Sequence, residues 1–372
     1  MSIKQIVYLI CLIIPSNQIF AITYEFSNGI NLQISGYLGA RYILSHVEFD
    51  AAGTGIEAGF ITNLKLTDRL VVFNQFKYGT TVDDILVYNH IAYTPNIPIN
   101  NFQLTLKGGK IWYDTTLYNI TRVNPRTRQG VFQPRALYWN IFEESNTSGV
   151  GVGFDAKYKN FKLSYLIDKQ TTQFTDTQTL FSDDDEKDNK PKPIKTKFGD
   201  HQLVSLGYEF PKYGVRTIAF WETSKIITSN PIPIDIGLNA GSRVGTGIEW
   251  VQDDFTASLE GICVKRKNVG WTQFSKLYCG ISPTITYNIN EDFSIRANYN
   301  QYRSPDNTAP QIQTYTKDIN LGIGWHKGSW IANIEGHYIQ GGGFIDPTDI
   351  RHHSTEYNHF YVIGTNLVYF WD

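Results

Sequence analysis

The sequence predicts an all-β protein, a 16-stranded antiparallel transmembrane β-barrel with tight turns at one end and long loops at the other. Three observations carry this prediction. Apolar and polar residues alternate with a period of two along much of the chain, as in a strand with two different faces. The connections between these segments are short and long by turns. Beyond the N-terminus, no segment approaches the run of about 18 apolar residues that a membrane-crossing helix requires.

The first element, residues 1–21, reads as an export signal. Lys4 supplies a short positive region, Ile6 to Ile14 is an uncharged apolar run, and Pro15, Ser16 and Asn17 break it. Ala21 then stands at a cleavage position, with a bulky Ile19 two places before it. The rival reading, a lipoprotein signal with Cys11 as acceptor, meets Ile10 where a small residue belongs. The remainder, 22–372, shows no linker or shift in composition, so one barrel domain is expected. The whole chain's 31 glycines, 23 tyrosines and 22 phenylalanines suit strands and turns rather than helices. A net charge of −2 gives no reason to expect a nucleic-acid partner.

Sixteen alternating segments follow: 31–44, 55–66, 69–79, 84–95, 102–111, 148–158, 161–168, 200–210, 215–225, 243–251, 255–266, 276–288, 293–303, 316–326, 330–341 and 355–371. In the first, Leu32, Ile34, Leu38, Ala40, Tyr42 and Leu44 share one face, and Gln33, Ser35, Tyr37 and Arg41 share the other. In the second, Ile56, Ala58, Phe60, Leu64 and Leu66 oppose Glu57, Asn63 and Lys65. Phe102, Leu104 and Leu106 alternate with Gln103, Thr105 and Lys107. Val204, Leu206, Tyr208 and Phe210 alternate with Ser205, Gly207 and Glu209. Ile319, Leu321, Ile323 and Trp325 alternate with Asn320, Gly322, Gly324 and His326.

Every other connection is a tight turn: Thr67-Asp68, Asn96 to Asn101, Lys159-Asn160, Pro211 to Gly214, Gln252 to Asp254, Ile289 to Asp292 and Lys327 to Ser329. Those between are longer, 45–54, 112–147, 169–199, 226–242, 267–275, 304–315 and 342–354, with 80–83 the exception. An up-and-down barrel in an outer membrane has this alternation, with turns in the periplasm and loops outside. Lipid offers nothing to unpaired backbone groups, so the sheet must close on itself. A barrel of this width cannot fill its centre with side chains, so the polar face lines a wet lumen and the apolar face meets lipid. The last segment fits: Tyr361, Ile363, Leu367, Tyr369 and Trp371 share the outward parity, one place before the terminal Asp372.

The longest connection, 112–147, carries Trp112, Tyr113, Tyr118, Phe132, Tyr138, Trp139 and Phe142 among Arg122, Arg126, Arg128 and Arg135. A long aromatic loop folds onto something. The expectation is a loop folded into the barrel, with its four arginines at the pore constriction; the alternative is an outer loop with a structural arginine cluster. Charges of inward parity include Arg41, Lys65, Lys107, Lys162, Arg243 and Arg296 against Glu57, Glu209, Glu249, Glu260 and Glu335. With the loop arginines, the balance leans weakly towards anions.

The stretch from Leu117 through Arg122, then Asn124-Pro125-Arg126-Thr127-Arg128, Pro134 and Tyr138-Trp139, resembles porin-like outer-membrane proteins of gammaproteobacteria. General porins of sixteen strands carry their pore-folding loop after strand five, where 112–147 stands. The resemblance implies a trimeric diffusion channel embedded in outer-membrane lipid and lipopolysaccharide, passing small polar solutes, with no cofactor. The terminal Asp372 and the loop's net positive charge depart from that pattern.

The run Asp183 to Glu186 lacks the glycine and distal Glu of an EF-hand loop, so it reads as a solvated loop. Cys263 and Cys279 share the outward parity on neighbouring segments, either as a cross-strand disulfide or as two thiols. His352, His353 and His359 form no expected metal site, since adjacent residues on an extended segment point to opposite faces. Neither GxSxG nor HExxH occurs, so no enzyme is expected. The functional expectation is a passive porin. The alternative is a plugged surface barrel serving adhesion or structure.

Overall fold

The computed structural model describes residues 22–26, 29–45, 53–79, 86–112, 116–117, 148–169, 171–174, 194–228, 241–266, 277–303, 315–340 and 359–371. Their strands are β1 Ile22–Glu25, β2 Asn31–Ser45, β3 Gly53–Thr67, β4 Leu70–Gly79, β5 Leu86–Tyr93, β6 Phe102–Trp112, β7 Ser148–Tyr158, β8 Phe161–Lys169 and β9 Thr171–Phe174. They continue with β10 Ile194–Phe210, β11 Val215–Thr228, β12 Gly241–Gln252, β13 Phe255–Arg266, β14 Leu277–Asn288, β15 Phe293–Arg303, β16 Tyr315–Lys327, β17 Trp330–Gln340 and β18 His359–Trp371.

Sixteen of these close a ring. Strands β2 to β8 pair antiparallel in chain order, β8 pairs with β10, and β10 to β18 continue in order. The last strand then returns to β2, with Leu367 opposite Ala40, so the ring has no open edge. Among the described residues no helix is long and apolar enough to cross a membrane. A closed sheet satisfies its backbone groups without water, which is the condition lipid imposes on strands.

Two short strands supplement the ring. Strand β18 ends at Trp371 opposite Gly36, and β1 lies beside the remaining Asn31 to Ile34 of β2. Since β3 already occupies the other side of those residues, β1 continues the line of β18. Strand β9 pairs with Ile194 to Lys197 of β10. The expected loop 169–199 therefore begins and ends as a paired extension, which its Thr171, Thr172, Phe174, Ile194 and Thr196 favour as β-branched and aromatic residues.

The alternation emerges as two faces of opposite character. The outward face is a band of exposed aliphatic side chains, including Val152 at 64 %, Leu321 at 66 % and Ile323 at 52 %. Towards the tight turns it becomes aromatic: Tyr158, Phe161, Tyr208, Phe210, Tyr213, Trp250, Tyr287 and Phe293 are all exposed. Tyr208 and Phe210 meet edge to face with centroids 4.4 Å apart, and Trp330 and Tyr369 are 4.9 Å apart. No water-soluble monomer sustains an apolar surface of this extent. The pattern is that of a lipid-facing belt edged by amphipathic rings.

The turns are tight because single residues take the left-handed conformation: Lys159 at φ 53°, Asp253 at φ 48°, and the glycines 214 and 328 at φ 62° and 58°. Pro283 sits within β14, where it has no N–H to donate. The ladder to β15 runs to Ile281–Gln301 and resumes at Thr284–Asn298. Asn298 Nδ2 bridges this stretch, donating to the Pro283 carbonyl at 3.0 Å, Ser282 Oγ at 2.9 Å and Thr284 Oγ1 at 2.6 Å.

Cys263 and Cys279 are register partners on the outward side of β13 and β14 and are joined by a disulfide.

Candidate functional site

The inner wall carries the chemistry, because the barrel turns every second residue of each strand inward. Its charges are distributed unequally. Described side chains on β2 to β8 supply Arg41, Lys65, Lys107, Lys157 and Lys162 against Glu57, Asp155 and Asp168. Those on β10 to β18 supply Glu209, Glu222, Glu249, Glu260, Asp318 and Glu335 against Arg216, Arg243 and Arg296, with His201 and His337. One side of the lumen is thus predominantly cationic and the other predominantly acidic.

The acidic side is organised around two histidines. His201 Nδ1 lies 2.9 Å from Asp168 Oδ2, and its Nε2 is 3.9 Å from Glu222. Arg243 donates to Glu222 at 2.6 Å and lies over the Phe220 ring. His337 Nδ1 lies 2.9 Å from Asp318 Oδ1 and its Nε2 lies 3.1 Å from Glu335, which also receives Arg296. Both nitrogens of His337 thus face carboxylates, leaving neither to activate a hydroxyl nucleophile. An asparagine ladder adjoins it: Asn300 and Asn320 both donate to Asn298 Oδ1 across β15 and β16. The described residues contain no group of three His, Cys, Asp or Glu arranged to hold a metal.

The long connection after β6 begins inside the barrel. Leu117 is fully buried and its backbone N–H donates to Glu260 Oε1 on β13 at 2.7 Å. Its side chain packs on Gly247 of β12, where an added Cβ would come within 2.9 Å of Leu117 Cδ1. The glycine is therefore what lets the chain approach the wall here. The carboxylate compensates an amide that would otherwise be buried without an acceptor.

Arg41 and Glu57 lie half-buried on the inward rows of β2 and β3. Lys65 is at the turn end of β3, where its ammonium, 2.7 Å from Asp68, holds that carboxyl below its ordinary range. Lys107 and Arg296 lie at mid-wall, each on a carboxylate. Arg122, Arg126, Arg128, Arg135, residues 1–21, the acidic run at 183–186, His352 and His353 lie outside the described residues; His359 is exposed at the start of β18. The sequence reading overlooked Asp155, Asp168, His201, Glu222, Asp318 and His337. Each has inward parity on its strand, so extending the alternation through residues 155–168, 201–222 and 318–337 would have found them.

No protein-family model matches the chain, and no curated protein matches it in sequence. Solved structures do. OmpT of Vibrio cholerae, an outer membrane protein folded in vitro, is 14 % identical, with a TM-score of 0.60 over 93 % of this chain and 99 % of that one. OmpT has also been solved in a trimer form. OmpF of Salmonella typhi, solved in complex with daunomycin, is 12 % identical, with a TM-score of 0.60 over 94 % and 100 %. The outer membrane channel DcaP of Acinetobacter baumannii is 10 % identical, with a TM-score of 0.54 over 94 % and 99 %. At such identities the likeness is one of fold, and it extends over whole barrels. The chain has the fold of outer-membrane β-barrel proteins.

Proposed function

We propose that this chain is a porin of the Gram-negative outer membrane, exported with residues 1–21 as a cleaved signal. It passes small polar or ionic solutes down their gradients and catalyses no reaction. One observation carries the reading: a closed sheet of sixteen strands with apolar side chains outside and charged ones inside. A lipid-facing exterior and a hydrophilic interior make a path for solutes that the bilayer refuses.

The start of the long connection, docked on Gly247 and Glu260, supports the reading of 112–147 as a constriction loop. On that reading Arg122, Arg126, Arg128 and Arg135 face the acidic wall, and these four arginines tilt the channel weakly towards anions. Assembly as a homotrimer has its own support. Thr62, Asn74 and Asn89 are successive register partners on the outward faces of β3, β4 and β5. The adjacent outward row, Leu64, Val72 and Ile91, is apolar. A polar row within the lipid belt favours contact with another copy.

The plugged surface barrel, acting in adhesion or structure, keeps one favouring observation. Tyr37, Ile331, Val368 and Phe370 form an inward apolar cluster, each at most 6 % exposed. Single-channel recording in planar bilayers separates the two. Steady open steps are expected; protein that inserts folded and stays silent would favour the plug.

A further inference from the structure

We propose that Lys107 and Lys162, which share Asp155 on the inner face of β6 to β8, form with Lys157 in the neighbouring row a subsite for a small oxyanion such as a phosphate or carboxylate. The inference rests on the channel reading above and names a solute class for it.

The geometry is specific. Lys107 Nζ lies 2.6 Å from Asp155 Oδ2, and Lys162 Nζ lies 3.8 Å from the same oxygen. Lys157 is the register partner of Lys162 and belongs to the next inward row. Two ammonium groups therefore share a single carboxylate, with a third lysine in the neighbouring inward row. Of the other ionisable groups on the inner faces of the flanking strands, Glu209 on β10 lies 3.8 Å from Arg216 of β11. His90 on β5 adds no negative charge, and Asp168 is engaged by His201 on β10. An anion with two oxygens accepts from two lysines at once and relieves their mutual repulsion. Lysine is suited to this as a point charge with three donors.

The surroundings leave room. Gly153 is the register partner of Lys107, and Gly207 that of Lys162, so two positions bordering the lysines carry no side chain. The groups are also reachable. The side chains of Lys107 and Asp155 are each 20 % exposed and that of Lys162 is 40 % exposed, whereas the His337 cluster across the lumen is nearly sealed. Contact through flexible lysines suits a channel, where a solute must bind and also leave.

The test is line broadening of inorganic phosphate in ³¹P NMR, titrated against the full barrel in detergent, with succinate as the carboxylate competitor. Saturable broadening by wild-type protein is expected. It should weaken by about tenfold or more in the double variant Lys107→Gln/Lys162→Gln. The milder Lys157→Gln, at an exposed position, should weaken it partially. Heat-modifiable gel mobility checks that each variant is folded. Broadening absent from wild type, or unchanged in the folded variants, overturns the subsite. Displacement by succinate identifies the site as general for oxyanions; its absence restricts it to phosphate. Bilayer recording of the same preparation keeps the two readings apart: phosphate binding without open steps would sink the channel and leave the subsite standing.

Discussion

Replacing Ile323 by arginine should destabilise the barrel by about 2–4 kcal/mol in lipid, the cost of a cation near the bilayer midplane on a barrel's outer face. Ile323 is 52 % exposed, and its register partners Ile295 and Ile334 are 45 % and 48 % exposed, so three outward isoleucines stand side by side. It lies four residues before the end of β16, about 13 Å along the strand at roughly 3.3 Å per residue, well inside the aliphatic belt. The same substitution at Tyr369, in the aromatic margin, should cost only about 0–1 kcal/mol. In a water-soluble protein, replacing an exposed isoleucine changes stability by no more than about 0.5 kcal/mol. The assay is reversible guanidinium unfolding in phospholipid vesicles, followed by tryptophan fluorescence. With a slope of roughly 2–4 kcal/mol per molar, the Ile323→Arg midpoint should fall by about 1 M. A cost below about 0.5 kcal/mol, or equal costs at both positions, would refute the assignment of this face to lipid.

Three further outcomes are expected from the contacts of the inner wall and the outward polar row. Glu335→Ala should cost about 3 kcal/mol in the same unfolding assay, because Arg296 and His337 lose a shared carboxylate, and adding Arg296→Met should recover much of it. Gly247→Val should cost about 1–3 kcal/mol by crowding Leu117 and should also raise single-channel conductance, as should Glu260→Ala, by displacing the start of the constriction segment. Asn74→Leu with Asn89→Leu should leave conductance per channel unchanged and shift the oligomer towards monomer in native mass spectrometry, since the polar row no longer favours protein over lipid.

The strands were legible because lipid and water make opposite demands on neighbouring residues. Period-two alternation survives even in β17, where Asn333, Glu335 and His337 are buried between outward Ala332, Ile334, Gly336 and Tyr338. The tight turns were equally legible, since Lys159-Asn160 and Lys327 to Ser329 leave little room for other paths. What sequence could not supply was contact across the lumen. That Gly247 makes space for Leu117, 130 positions earlier, follows only from closure of the ring. The two histidine clusters were missed for a similar reason. His201 stands next to Asp200 and far from Asp168 in sequence, and only the β8–β10 register brings the last pair together. Strands β1 and β9 escaped notice because four residues are too few to display a period.

The account turns on which face is wet, and cysteine labelling of protein reconstituted in vesicles tests this most directly. Single cysteines at Lys162 and Arg216, inward and partly exposed, are compared with cysteines at Val152 and Leu321, outward and strongly exposed. A charged, membrane-impermeant thiol reagent should modify the inward pair and spare the outward pair, which should react only with a lipid-soluble reagent. The reverse pattern, with outward cysteines labelled from water and inward ones protected, would contradict the hydrated lumen and the channel built on it.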